Sequence, residues 1–133
     1  MTACYLDASA LVKLGTPERE SDALREHLAG YDAQLTSRVA LVEVGRALMR
    51  RGRESAGLVD TVVEVLSGVA IVDLDDDISA SASTLDPPTL RALDAIHLAS
   101  ALSLGPALDA FITYDARLAE AARATGLTVV APA

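Results

Sequence analysis

The chain has 133 residues, 51% of them apolar, and one cysteine, Cys4. That is one domain's length with enough apolar side chain for a core, and it excludes a disordered chain, an internal disulfide and a cysteine-based zinc site. Eleven basic against nineteen acidic residues leave a net charge of −8, the wrong sign overall for a protein that grips duplex nucleic acid through its phosphates. Aromatic residues are only Tyr5, Tyr31, Phe111 and Tyr114, so Ala, Val, Leu and Ile must build the core. No apolar run approaches the roughly 20 residues of a membrane span, and the first residues lack a basic, apolar signal pattern. A cytoplasmic location with no membrane contact is the expectation.

In chain order, Ala3–Leu6 is a short apolar run ending at an acid, the pattern of a buried strand, and Ala8–Leu14 reads as a short helix. Thr16-Pro17 has the form of an N-cap with proline at the first helical position, predicting a helix to Ala29 that stops at Gly30. Gln34–Thr36 suits a strand. Ser37 is placed to cap a helix through Arg51, ended by Gly52. A helix over Ser55–Leu66 precedes the β-branched strand Val69–Leu74. Helices fit Ile78–Leu85 and Leu90–Leu104, separated by Pro87-Pro88. Ala110–Thr113 reads as a strand, Asp115–Thr125 as a helix and Leu127–Val130 as the last strand. Short apolar strands alternating with helices indicate one domain over 1–133, a three-layer α/β/α sandwich with a short, mainly parallel sheet. Ligands of such sheets gather at the carboxyl ends of the strands.

Asp7 follows the first strand directly, and Asp115 follows the Phe111–Thr113 strand after one residue. Glu43 and Asp94 interrupt apolar patterns in helices. Each acid alone has an ordinary explanation: Asp7 and Asp115 as helix N-caps, Glu43 as an ion-pair partner of Arg46 or Arg50, Asp94 at a helix dipole. Four acids with compatible placement are harder to dismiss. Carboxylates about 5 Å apart repel by roughly 3 kcal/mol at an effective dielectric of about 20. Such a cluster needs a cation or bound protons, and all-oxygen donors select a hard ion, Mg²⁺ or Mn²⁺. That ion suits phosphoryl chemistry, with a metal-activated water as the attacking group. Ser9 and Thr113 stand beside the acids, where a hydroxyl can orient a carboxylate or contact a phosphate. Five of the eleven basic residues fall in one stretch: Arg38, Arg46, Arg50, Arg51 and Arg53. Arg46, one turn from Glu43, is the expected contact to a phosphate backbone, with Arg50 or Arg38 assisting.

The segments Tyr5–Leu14, Ser37–Leu48, Leu93–Leu102 and Phe111–Leu118 resemble, in order and spacing, the four motifs of PIN-domain proteins, in particular VapC-type toxins. The resemblance implies the same α/β/α sandwich and an Mg²⁺- or Mn²⁺-dependent endoribonuclease. By position, Asp7, Glu43, Asp94 and Asp115 match the family's acidic quartet, with metal held by Asp7, Asp94 and Asp115. It also implies a cognate VapB-like antitoxin as partner, RNA as substrate and a homodimer. His97 reads as a packed or hydrogen-bonded helix residue. Three rivals remain at this point: an Mg²⁺-binding phosphoacceptor signalling domain using the acids Asp73 and Asp75–Asp77, a catalytically inactive PIN-like protein that only binds a partner, and a DNA nuclease.

Overall fold

The fold is seen in a computed structural model that describes residues 1–133. Apolar runs with β-branched and aromatic residues form five strands: β1 (Ala3–Leu6), β2 (Ala33–Ser37), β3 (Val69–Val72), β4 (Ala110–Ile112) and β5 (Val129–Val130). Amphipathic segments form seven helices: α1 (Ala8–Gly15), α2 (Ser21–Leu28), α3 (Ala40–Arg50), α4 (Leu58–Val65), α5 (Asp76–Ser83), α6 (Ala92–Leu102) and α7 (Ala116–Ala124). A 3₁₀ turn at Gly105–Ala107 leads into β4. All strand pairs are parallel and the order is β3-β2-β1-β4-β5.

Alternation along the strands separates two cores. Cys4 and Leu6 of β1, with Ala110 and Ile112 of β4, face α1, α2, α3 and α4. Tyr5 and Phe111 face the opposite way and pack with Leu98 and Ala101 of α6 and Leu118, Ala121 and Ala122 of α7. The Tyr5 and Phe111 rings stack with centroids 5.4 Å apart. Helix α5 lies against α6. The result is the three-layer α/β/α sandwich expected from the alternating pattern.

The strand order matters for the site. From β1 the chain steps outward through β2 to β3, then crosses back to β4 on the other side of β1. The order therefore reverses between β1 and β4, and a crevice opens at their carboxyl ends. No helix is long and apolar enough to cross a membrane.

Several boundaries differ from the sequence expectation. Thr16 ends α1 and does not cap α2: it is extended, at φ −137° and ψ 126°, because a residue before proline is pushed out of the helical region. Its hydroxyl has no partner. The first turn of α2 is organised by Ser21, whose hydroxyl accepts from Glu18 N at 2.9 Å and donates to Lys13 O at 2.7 Å. Ser37 belongs to β2, and its hydroxyl accepts from Val39 N at 3.3 Å before α3 begins at Ala40. Helix α4 starts only after Gly57, whose φ of +76° lies in the left-handed region open to glycine. Asp75 caps α5, accepting from Ile78 N at 2.8 Å, so that helix starts earlier than expected. Helix α6 starts two residues later, because Arg91 is extended.

Candidate active site

A cleft of about 720 Å³ lies over the crevice between β1 and β4, and Asp7, Glu43, Asp94 and Asp115 all line it. Four elements deliver them. Asp7 terminates β1 and caps α1, Glu43 lies in the first turn of α3, Asp94 in the first turn of α6, and Asp115 caps α7. The side chains expected on separate grounds thus face one space.

Asp7 is buried, 3% exposed, and its oxygens are well supplied with donors. Oδ1 accepts from Ser9 Oγ at 2.7 Å and Ala10 N at 3.1 Å, and Oδ2 accepts from Thr113 Oγ1 at 2.6 Å. Burial nevertheless raises its pKa above the ordinary carboxylate value, against the pull of these donors and of His97. Asp94 is half-buried and no protein donor shields it. Burial raises its pKa first, then the charges of Asp115 and Asp7, with Arg91 and His97 acting the other way. The acids therefore feel one another electrostatically across the cleft. Asp115 spends Oδ1 on the backbone N–H groups of Arg117 and Leu118, at 2.9 and 3.0 Å, leaving Oδ2 without a protein donor.

Glu43 pairs with neither Arg46 nor Arg50. Its Oε1 meets His97 Nε2 at 2.6 Å, and His97 Nδ1 meets the Tyr5 hydroxyl at 2.7 Å. Tyr5 and His97 are buried. Local spacing gives no sign of this chain, because Tyr5 and Glu43 lie far from His97 in sequence. The one available hint was that His97 falls one helical turn after Asp94.

The other expected residues divide. Ser9 and Arg46 line the cleft, as do Arg50, Arg51 and Arg91. Arg46, Arg50 and Arg91 form no ion pair, whereas Arg51 binds Glu18 at 3.2 Å. Thr113 is buried beneath the lining, its hydroxyl committed to Asp7. Of the two uses foreseen for that hydroxyl, the geometry has it orienting a carboxylate. Arg38 departs from expectation: it binds Asp73 Oδ1 at 2.7 Å, outside the cleft. Its position at the start of the β2–α3 connection places it beside the end of β3. Lys13, the chain's only lysine, lies in the cleft wall with Nζ 3.1 Å from Glu18 and 2.9 Å from Glu20, over the Tyr114 ring.

No three His, Cys, Asp or Glu side chains stand close enough together to hold one metal ion between them. The acids stand around an open space, which is how Mg²⁺ is held when it keeps several waters. Donor chemistry fits a hard cation: oxygen only, with the ionised forms of Asp7 and Asp94 penalised by burial, and that of Asp94 also by the charges of Asp115 and Asp7.

Comparison with known proteins shows the family. The sequence model of the PIN domain matches residues 4–124, a span that contains all four acids, and the chain belongs to the PIN-domain family. Within that family it is similar to ribonucleases VapC of Mycobacterium tuberculosis: 43% identical to ribonuclease VapC46 over 99% of each chain, and 44% identical to ribonuclease VapC35 over 96% of each. Among solved structures it resembles VapC20 of M. tuberculosis, a sarcin-ricin loop cleaving toxin, with TM-score 0.75 and 20% identity over 97% of this chain and 99% of that one. It also resembles VapBC2 from Rickettsia felis, solved bound to a DNA fragment from their promoter, with TM-score 0.73 and 13% identity over 99% and 100% of the two chains. At these identities the structural likeness speaks for the fold.

Proposed function

We propose that this chain is a divalent-metal-dependent endoribonuclease, one nuclease domain over 1–133, that serves as the toxin of a toxin–antitoxin pair. The observation that carries the reading is the meeting of Asp7, Glu43, Asp94 and Asp115 in one cleft at the point where the strand order reverses. The relatives named ribonuclease VapC support RNA as substrate. The VapBC2 neighbour supports a VapB-like antitoxin as partner. We place the activity in the cytoplasm and the working form as a homodimer.

Asp7, Asp94 and Asp115 are the residues to hold Mg²⁺ or Mn²⁺. When bound, such an ion neutralises charge at a phosphodiester and lowers the pKa of a water. The chain's own groups do the rest. Ser9 and Thr113 fix the rotamer of Asp7 by donating to both its oxygens. Glu43 lines the same cleft, and its role in this reading is to position the attacking water and take its proton. Arg46, with Arg50, holds the RNA backbone, which lets an acidic protein approach a polyanion. The Tyr114 ring is covered by Lys13 Nζ at 4.5 Å, so the cleft offers no open base-stacking platform. Recognition by RNA shape and loop contacts follows.

Observations weigh against the phosphoacceptor reading. Asp73 follows β3, an edge strand away from the crevice, and is bound to Arg38. Lys13, the chain's only lysine, is engaged by Glu18 and Glu20.

The test is incubation of the purified protein with RNA and with DNA, in Mg²⁺, Mn²⁺ or EDTA, beside Asp7→Asn. RNA cut only by the wild type and only with metal is the expected result. Cleavage that survives EDTA overturns the metal assignment. Cutting of DNA in place of RNA makes this a DNA nuclease, and no cutting at all leaves the inactive partner-binding protein.

A further inference from the structure

We infer that His97 is a positioning residue, its imidazole oriented by the Tyr5 hydroxyl so that Nε2–H holds one oxygen of Glu43 and leaves the other to serve the cleft. This deepens the endoribonuclease reading and rests on it for the role of Glu43. The bond itself stands independently on geometry.

The direction of the bonds follows from their chemistry. A carboxylate offers only acceptors. Glu43 Oε1 lies 2.6 Å from His97 Nε2, so that nitrogen must carry a proton, or two lone pairs would face each other. Tyr5 supplies the complement. Its phenol is buried and carries one O–H, which it donates to Nδ1 at 2.7 Å. Ser100 Oγ is buried with no hydrogen-bond partner, and the Thr36 hydroxyl donates to Leu6 O at 2.7 Å. A directed chain results, from Tyr5 through His97 to Glu43. The neutral Nε2–H tautomer is the one it selects.

The placement of this chain is as informative as its direction. Tyr5 is two residues before Asp7 on β1, and His97 is one turn after Asp94 on α6. Glu43 belongs to α3, in the opposite helical layer. Helices α3 and α6 share no substantial backbone packing, so the His97–Glu43 bond joins the two walls of the cleft. Losing it frees Glu43 to take another rotamer, while Asp7 keeps its donors from Ser9, Ala10 and Thr113.

The experiment compares His97→Gln, which keeps an N–H donor at similar reach, with His97→Leu, which has none. ¹⁵N NMR of the wild-type imidazole accompanies it. In single-turnover assays with Mg²⁺, His97→Leu is expected to lose at least ten-fold in kcat with KM for RNA moved less than three-fold. His97→Gln should recover most of that loss. The NMR spectrum should show Nε2 protonated. A protonated Nδ1 with bare Nε2 would overturn the inference, as would equal kcat in the two folded variants. Should His97→Leu fail to fold, Tyr5→Phe takes its place. The phenyl ring still stacks on Phe111, and a kcat equal to wild type would then count against the chain. The NMR result is independent of catalysis, so a protein that cuts no RNA fails the functional reading and leaves the hydrogen-bond assignment to be decided on its own.

Discussion

Thr113 and Asp7 leave adjacent parallel strands side by side, and the threonine hydroxyl donates to Asp7 Oδ2 at 2.6 Å. Thr113 Oγ1 in turn accepts from Asp115 N at 3.1 Å. Ser9 Oγ gives its proton to Asp7 Oδ1 and accepts from Tyr114 N at 2.9 Å. Each hydroxyl has one proton and both are committed to Asp7. The 3.3 Å approach of Ser9 Oγ to Thr113 Oγ1 is therefore a contact without a proton of its own. One buried carboxylate is thus gripped from two strands, and the backbone entering α7 is tied to the same point.

Replacing Thr113 with Val removes this grip while keeping the shape. The Asp115 N–H then loses its acceptor and Asp7 loses its shortest donor. We expect a stability loss of about 1–3 kcal/mol, the cost of a buried group left unsatisfied. Divalent-cation binding should weaken by about 10- to 100-fold, as for other residues that orient a ligating carboxylate. Thr113→Ser should restore most of both. Thermal unfolding and Mn²⁺ titration measure the two effects, and unchanged Mn²⁺ affinity in Thr113→Val would show that the bond is structural only.

Asp7 and Asp94 keep their protons in the folded chain to higher pH than the ordinary carboxylate value of 3.8. Between that value and the raised ones the folded state binds more protons than the unfolded state. Their contribution to stability is fully present below 3.8 and is lost as pH rises through the folded values. In EDTA, Asp94→Asn should match the wild type near pH 4 and exceed it in Tm at pH 7. Saturating Mg²⁺ should reverse that order, because only the wild type then gains binding free energy, about 2.7 kcal/mol at a hundred-fold excess over Kd. Melting curves across pH, with and without Mg²⁺, test both halves. A pH-independent difference would contradict the shared electrostatics of the cleft.

The sequence made much of this visible, for identifiable reasons. Asp7 and Asp115 stood out because each follows an apolar strand, and the parallel-sheet rule sends such residues to one edge. Glu43 and Asp94 stood out because charge broke an apolar stretch. What stayed hidden depends on contacts between distant parts of the chain. Nothing near Glu43 announces His97, and Arg46 was the natural local guess. Thr16-Pro17 carried the signature of a helix start, but the restriction that proline places on its predecessor ended the previous helix instead. Arg38 was grouped with the other arginines by sequence alone, although the strand register sets it beside Asp73.

Arg46 and Arg38 differ in surroundings and should differ in effect. Arg46 lines the cleft with no ion pair, whereas Arg38 is spent on Asp73. In an Asp7→Asn background, Arg46→Ala should weaken binding to single-stranded RNA and reduce the log–log salt slope by about 0.7, one phosphate contact. Arg38→Ala should leave the slope as it was. Fluorescence anisotropy at several salt concentrations decides, and equal slopes for the two variants would remove Arg46 from the RNA contact.

Lys13 braces the cleft wall. Its side chain is 13% exposed and holds Glu18 and Glu20 while passing over Tyr114. We expect Lys13→Ala to lower stability through its lost charge-assisted hydrogen bonds, and Lys13→Arg to lower it less. Urea unfolding measures this, and a Lys13→Ala midpoint equal to wild type would show the contacts to be surface decoration.

The order β3-β2-β1-β4-β5 carries a temporal consequence. During synthesis the middle strand β1 emerges first but has an open flank until β4, made more than a hundred residues later, slides in beside it. Asp115 and Thr113 arrive with that insertion. A polypeptide still being translated therefore carries dispersed acids and no assembled reaction centre, and a product truncated before β4 stays inert however well its first half folds.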